Sequence, residues 1–391
     1  MDDLSYILNQ LGEDREKYFN AVAPPIIKTS NFAFNTVADF RRLLSDESQG
    51  ALYTRGKNPT ITMLEKKIAA LDGAQEALIF SSGVAAITIP ILNLLKQGDH
   101  IVSVRNVYSW STKLFSEMLP KFGIDCTYVD GTDSENFFNA IKSNTKLIYL
   151  ESPNTYTFEL QDLQAIAAFA KKRSIITMID NSYCSPLLMK PIELGIDLCM
   201  QTASKYLGGH SDLIAGVLTG SHKLLNPLFR TTYLNIGGII SPENAWLILR
   251  SLRTMELRLT RICESTKIVV DYLYKHKQIE KVIWPFHPSH PQHELAKKQM
   301  KAGAGLFAFV LKTNNIEEIE SFCNSLKRFL MAVSWGGHES LIIPICATFP
   351  KNEFDPKIEK HRYIRMYVGL EDPNVLIEDI GLGLEKLKQV S

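Results

Sequence analysis

Lys205, Asp180, Thr202 and Ser204 are the residues of this chain whose types and spacing could do chemistry together. Asp180 closes an apolar run over 175–179. Thr202, Ser204 and Lys205 follow a second run over 196–200, ahead of Gly208 and Gly209. Runs of that length, bounded by polar and turn-forming residues, predict buried strands. Ligands of open α/β sheets bind beyond the carboxyl ends of the strands, so the carboxylate and the amine are expected to face one pocket. The set suits pyridoxal phosphate: the amine condenses with its aldehyde, the carboxylate keeps its ring nitrogen protonated, and the hydroxyls take phosphate oxygens. Taken singly, an aspartate at a strand end is a turn former and a lysine a solvated charge, so the inference rests on their combination.

The wording SKYLGGHSD around Lys205 resembles the lysine motif of the cysteine/methionine-metabolism, or transsulfuration, family of pyridoxal phosphate enzymes, which includes cystathionine and methionine lyases and synthases. Earlier segments point to the same family. ALYTRGKNPT, residues 51–60, places Tyr53 and Arg55 two apart, on one side of an extended segment. It is similar to the family's Tyr-x-Arg-x-x-Asn-Pro-Thr. That resemblance implies that both side chains contact the cofactor phosphate of a neighbouring subunit, with Tyr53 also facing the substrate. It implies a homo-oligomer as well, a homotetramer built from dimers that share active sites. A strand over 76–80, the turn Ser81-Ser82-Gly83 and a helix over 84–95 make an anion cradle, because helix-end N–H groups and the dipole favour negative charge. The turn resembles the family's Ser-Ser-Gly-Met-Ala-Ala with Val84 substituted, which implies phosphate binding by Ser82, Gly83 and Val84.

A strand over 100–104 precedes Tyr108, an aromatic hydroxyl able to stack on a ring and pass a proton. The family carries a ring-stacking Tyr in this place, so the resemblance makes Tyr108 a cofactor-binding, substrate-facing and catalytic residue beside Lys205. Ser109, Trp110 and Ser111 replace the usual Gly-Gly-Thr or Gly-Cys-Thr, and imply a bulkier wall on the substrate side. A strand over 146–150 leads into ESPNTYTFEL, where Glu151 reads as a residue that orients a neighbour or caps backbone groups. Thr155 stands where many family members have an Asn.

These strand ends, with helices between them, predict a mainly parallel sheet. The resemblance implies an α/β, fold type I pyridoxal phosphate enzyme, with a seven-stranded sheet between helices in the large domain and a smaller C-terminal α/β domain. The expected division is an N-terminal helix and extended arm over 1–58, the cofactor-binding domain over 59–250, and a linking helix and small domain over 251–391. The first 20 residues read as a helix, and 242–275 as one long helix. Within the small domain, HRYIRMYVGLED predicts a strand that puts Arg365 on one face with Tyr363 and Tyr367. Family resemblance makes Arg365 the clamp for the substrate's α-carboxylate, assisted by Ser334. His287, His290 and His293 recur every three residues, but Pro285, Pro288 and Pro291 forbid the helix that would align them, so no metal is expected.

The 391 residues carry 43 basic and 42 acidic side chains, a net charge of +1, which offers no field to recruit nucleic acid or an anionic membrane. Six scattered cysteines form no Cys-x-x-Cys pair, the first 20 residues lack a basic-then-apolar signal, and no apolar run reaches the roughly 18 residues of a membrane helix. A cytoplasmic enzyme acting on a small sulfur amino acid is expected. Ser334-Trp335-Gly336-Gly337 and Glu151-Ser152-Pro153 resemble bacterial cystathionine β-lyases, and Val333 stands where γ-lyases commonly have an acid. The Tyr53 to Thr60 motif is closer to the γ-acting branch. The expected reaction is therefore β-elimination, with a γ-lyase or γ-replacement enzyme as the alternative and a weakly catalytic, cofactor-binding regulator as a third reading.

Overall fold

The computed structural model describes residues 3–387. The first two residues of the helix predicted over 1–20, and the last four of the domain predicted to end at 391, lie outside the described residues. Seven strands form one sheet: β1 (Glu76–Phe80), β2 (His100–Val104), β3 (Asp125–Val129), β4 (Thr145–Glu151), β5 (Ile176–Asp180), β6 (Leu198–Thr202) and β7 (Gly216–Gly220). Their order is β1-β7-β6-β5-β4-β2-β3. Strands β2 to β6 pair in parallel, whereas β7 is antiparallel to both β1 and β6. Two reversals in succession leave β1 pointing the same way as β6, so β7 alone runs against the other six. This is the α/β architecture expected, with a mainly parallel sheet of seven strands.

Helices cover the sheet: Gly83–Leu94 packs on β6 and β7, Leu163–Lys172 on β5, and Pro59–Asp72 on β1 and β7. Strands covered in this way read as near-continuous apolar runs. β2 and β7 are buried at every residue. β6 starts two residues later than the apolar run predicts. The Asp197 carboxylate there accepts the Thr177 N–H and hydroxyl, each at 2.8 Å, and closes the turn before ladder pairing begins. β3 and β7 carry weak signals in the sequence, since DCTYV mixes an acid and a threonine with its apolar residues and GVLTG is bounded by glycines.

The N-terminal helix is shorter than predicted. Leu4–Asn9 is capped by the Asp3 carboxylate, Gly12 turns the chain at φ +80°, and a short 3-10 turn spans Arg15–Tyr18. The cause is tertiary: the buried Lys67 ammonium donates to the carbonyls of Ile7 and Leu8 at 3.1 and 3.2 Å and pairs with Glu13 at 3.3 Å. The predicted helix over 242–275 is two helices, Pro242–Leu252 and Met255–Lys275.

Contacts divide the chain into two units. One holds the described residues up to Ser152, together with Gln161–Gly208 and Asp212–Thr254. The other holds Pro153–Leu160, Gly209–Ser211 and the described residues from Met255 onward. The second unit has its own sheet of β8 (Ile279–Ile283), β9 (Leu306–Leu311), β10 (Leu330–Met331), β11 (Leu341–Pro344) and β12 (Tyr363–Tyr367), in the order β10-β11-β12-β9-β8. Trp284, Phe307, Phe309, Phe322, Ile342 and Ile364 fill its core.

Candidate active site

Strands β1, β2, β4, β5 and β6 all end at one edge of the large sheet. β7 begins there, with Gly216 paired to Phe80 of β1 on one side and Thr202 of β6 on the other. Just beyond β1, Ser82 is the N-cap of the helix Gly83–Leu94, and its hydroxyl accepts the Ala85 N–H at 3.1 Å. That cap leaves the N–H groups of Gly83 and Val84 pointing out of the helix end. Space here is tight enough to demand glycine. A Cβ on Gly83 would lie 2.8 Å from the Thr202 Cβ, and one on Gly216 would lie 2.3 Å from the Ser82 carbonyl oxygen. The Ser204 hydroxyl accepts the Ala215 N–H at 3.0 Å, which joins the segment after β6 to the one before β7.

Asp180 ends β5 beside Glu151 of β4 and Met200 of β6. Its carboxylate accepts the Ser182 N–H at 2.9 Å, and the Ser182 hydroxyl in turn accepts the Thr202 N–H at 2.7 Å. One serine therefore ties the ends of β5 and β6 together. Burial pushes the Asp180 carboxyl above the usual range, while the donations from Ser182 and the nearby Lys205 charge pull it back. A desolvated carboxylate of this kind is stabilised by any cation brought to it. The Lys205 charge lowers the carboxyl as well, by less than the Ser182 donations do.

Tyr108 lies past β2 and starts the short helix Ser109–Lys113. Its N–H donates to the buried Glu151 carboxylate at 2.7 Å. Of the two roles its place at the end of β4 suggests, Glu151 takes the capping of a backbone group. Ser111 meets the buried Tyr149 hydroxyl at 3.3 Å, and Trp110 is exposed with the Lys113 ammonium 4.8 Å from its ring.

In the second unit, Arg365 sits at the centre of β12, between Ile343 of β11 and Ala308 of β9, and is 7 % exposed. Ser334 has φ +89°, a conformation L side chains rarely adopt. Near it the Tyr367 hydroxyl donates to the Gly337 carbonyl at 2.8 Å. Tyr53 and Arg55 are both exposed, with the guanidinium carbon 5.7 Å from the tyrosine ring. The rest of their motif is structural. Asn58 caps the helix Pro59–Asp72 and its side-chain amide donates to the Ile27 carbonyl at 2.8 Å, while the Thr60 hydroxyl donates to the Pro25 carbonyl at 3.0 Å.

Ser182 and Ala215 are the members of this arrangement that sequence reasoning missed. Ser182 has a recognisable signal, since an Asp followed two residues later by a Ser is a turn in which the carboxylate takes a backbone N–H. Ala215 has none, because its N–H matters and its side chain does not. In the histidine series, His287 Nδ1 bonds the Ser289 hydroxyl at 2.6 Å and His293 Nδ1 faces the Pro285 carbonyl at 3.1 Å. Among the described residues no group of His, Cys, Asp and Glu is arranged to hold a metal ion, and no helix is long and apolar enough to cross a membrane.

The residues present fit pyridoxal phosphate. A helix end with glycine-only clearance suits a phosphate, the buried Asp180 suits a protonated ring nitrogen, and Lys205 suits the aldehyde. Comparison with known proteins agrees. L-methionine gamma-lyase of Fusobacterium nucleatum is 36% identical over 375 residues, covering 94% of this chain and 95% of the relative. Cystathionine gamma-lyase of Macaca fascicularis is 35% identical over 380 residues, covering 96% and 92%. L-alanine/L-glutamate racemase of Wolbachia pipientis is 33% identical over 392 residues, covering 97% and 96%. The crystal structure of metB from Corynebacterium glutamicum superposes with a TM-score of 0.91 at 30% identity, over 99% of each chain. The family described as "Cys/Met metabolism PLP-dependent enzyme" matches residues 7–385, and this chain belongs to it.

Proposed function

We propose that the protein is a carbon–sulfur lyase that cleaves a sulfur amino acid by α,β-elimination to a thiol and an enamine, which water hydrolyses to ammonia and a keto acid, with cystathionine as the expected substrate. The observation that carries the cofactor chemistry is the buried Asp180 carboxylate at the end of β5, tied through Ser182 to the Thr202 N–H at the end of β6; the choice of β-cleavage rests on Ser334-Trp335-Gly336-Gly337 and Glu151-Ser152-Pro153. When bound, pyridoxal phosphate supplies an electron-accepting ring that eases removal of the substrate's Cα proton. Gly83 and Val84 hold its phosphate through backbone donors, with the Ser82, Thr202 and Ser204 hydroxyls beside them, and Asp180 keeps a proton on the ring nitrogen. Lys205 takes the Cα proton, the Cβ–S bond breaks, and a proton passes to the departing sulfur from Lys205 or Tyr108. Arg365 and Ser334 hold the α-carboxylate, for which a two-donor guanidinium is suited. Tyr53 and Arg55, exposed within their own chain, reach the phosphate of a second copy, which makes a dimer the minimal active unit and a homotetramer of two dimers the expected assembly. A reducing cytoplasm suits six free thiols.

A second reading, α,γ-elimination, is favoured by the whole-length relatives named as gamma-lyases. It requires a further proton transfer at Cβ. Racemisation, the reaction of the Wolbachia relative, shares only the loss of the Cα proton. The keto acid released from cystathionine decides the matter: pyruvate supports β-cleavage and 2-oxobutyrate replaces it with γ-cleavage. Yellow protein with no turnover of any sulfur amino acid would overturn both in favour of a cofactor-binding regulator.

A further inference from the structure

Tyr156 lies in the segment Pro153–Leu160, and its ring centroid is 5.1 Å from the Arg365 guanidinium carbon and 5.7 Å from the Lys360 ammonium. The ring rides on a built loop. The Asn154 N–H donates to the Glu159 carbonyl at 2.9 Å, the Phe158 N–H donates to the Asn154 carbonyl at 3.2 Å, and Phe158 is wholly buried at φ +55°. Gln292 brackets Leu160, accepting its N–H at 2.8 Å and donating to its carbonyl at 2.7 Å. A guanidinium stacks readily on an aromatic face, and such a contact fixes the plane in which its paired donors lie.

We propose that Tyr156 is a positioning residue for carboxylate recognition: its ring holds the Arg365 guanidinium in the plane that offers two parallel N–H donors to the substrate's α-carboxylate. The inference rests on the reading of Arg365 as the carboxylate-binding group. It extends that reading to a side chain outside the Arg365 strand, and it makes affinity for amino-acid carboxylates depend on an aromatic face.

The test uses holoenzyme carrying Tyr156→Ala, Tyr156→Phe or Arg365→Ala. KM and kcat are measured with cystathionine, and the dissociation constant of L-alanine, which has no sulfur to expel, is read from the visible absorption of the cofactor. Tyr156→Ala is expected to raise both KM and that dissociation constant about ten-fold with kcat within about two-fold, the pattern of lost ground-state binding. Tyr156→Phe keeps the ring face and is expected to stay within about two-fold of the parent on both measures. Parent-like alanine binding by Tyr156→Ala overturns the inference. So does a Tyr156→Phe loss equal to that of alanine, which would assign the effect to the hydroxyl. If Tyr156→Ala does not fold, Tyr156→Leu keeps the bulk without the π face and is expected to show the same loss. Arg365→Ala separates the two readings. Unchanged alanine affinity there removes the carboxylate assignment itself, whereas a large loss there with none at Tyr156 removes only the positioning role.

Discussion

Gly216→Ala probes the phosphate cradle without altering any side chain placed in it. Gly216 opens β7 between Phe80 and Thr202, and a methyl group there would lie 2.3 Å from the Ser82 carbonyl oxygen, 2.7 Å from its carbonyl carbon and 2.8 Å from the Ala86 Cβ. Cβ contacts do not fall below 3.0 Å, so Ser82 and β7 must part by about 0.7 Å. Neither side yields easily. The Ser82 carbonyl accepts the Ala86 N–H at 3.1 Å, the Ser82 hydroxyl caps the same helix, and β7 is laddered on both edges. Overpacking against such backbone costs about 1–3 kcal/mol. Moving Ser82 moves the Gly83 and Val84 N–H groups with it, and a donor carried 0.7 Å beyond a normal hydrogen-bond distance no longer bonds the phosphate. Loss of one charge-assisted bond, about 1.5–3 kcal/mol, predicts cofactor affinity lower by about ten- to a hundred-fold. The assay strips the cofactor, titrates it back by absorbance, and records the thermal midpoint of the stripped protein separately, where a fall of about 1 °C per kcal/mol is expected. A lowered midpoint with undiminished cofactor affinity would refute the assignment of this turn as the phosphate site. An undiminished midpoint would refute the packing argument beneath it.

Three further outcomes are expected. Glu151→Gln weakens the 2.7 Å acceptor of the Tyr108 N–H, and should lower kcat about ten-fold while leaving the cofactor dissociation constant near the parent value; undiminished kcat with lower stability would make Glu151 a purely structural residue. Asp72 is buried, and burial pushes its carboxyl up to about 7 although Thr219 and Gln201 donate to it. Its folded state holds the proton more tightly than the unfolded chain, whose carboxyl titrates near 3.9, so stability should fall as pH rises from about 4 to about 7, by at most about 1.4 kcal/mol per pH unit. Asp72→Asn should flatten that slope in urea midpoints taken across the window, and an unaltered slope would show that Asp72 does not titrate there. Arg55→Ala should weaken cofactor retention through a subunit boundary, as checked by dialysis and sedimentation, and a strictly monomeric preparation with full activity would remove the shared-site proposal.

What the amino-acid order determined by itself was local. Buried strands announce themselves as apolar runs, and so β1, β2 and β5, with Asp180 at the carboxyl end of the last, are legible to within a residue. The helix cap at Ser82 and the motif around Lys205 are equally local, because turns and caps are written in neighbouring residue types. Tertiary structure decided what depends on partners distant in the chain. The direction of β7 and the clearance at Gly216 come from strands more than a hundred residues apart and from their neighbours in the sheet. The short N-terminal helix ends where Lys67 claims its carbonyls, and Glu151 finds Tyr108 across 43 positions. The ring of Tyr156 reaches Arg365 across a still longer gap. Periodicity and propensity report the fit of a segment to its own geometry. They carry no information on which remote backbone N–H or guanidinium will occupy the space beside it, and that is set only when the chain packs.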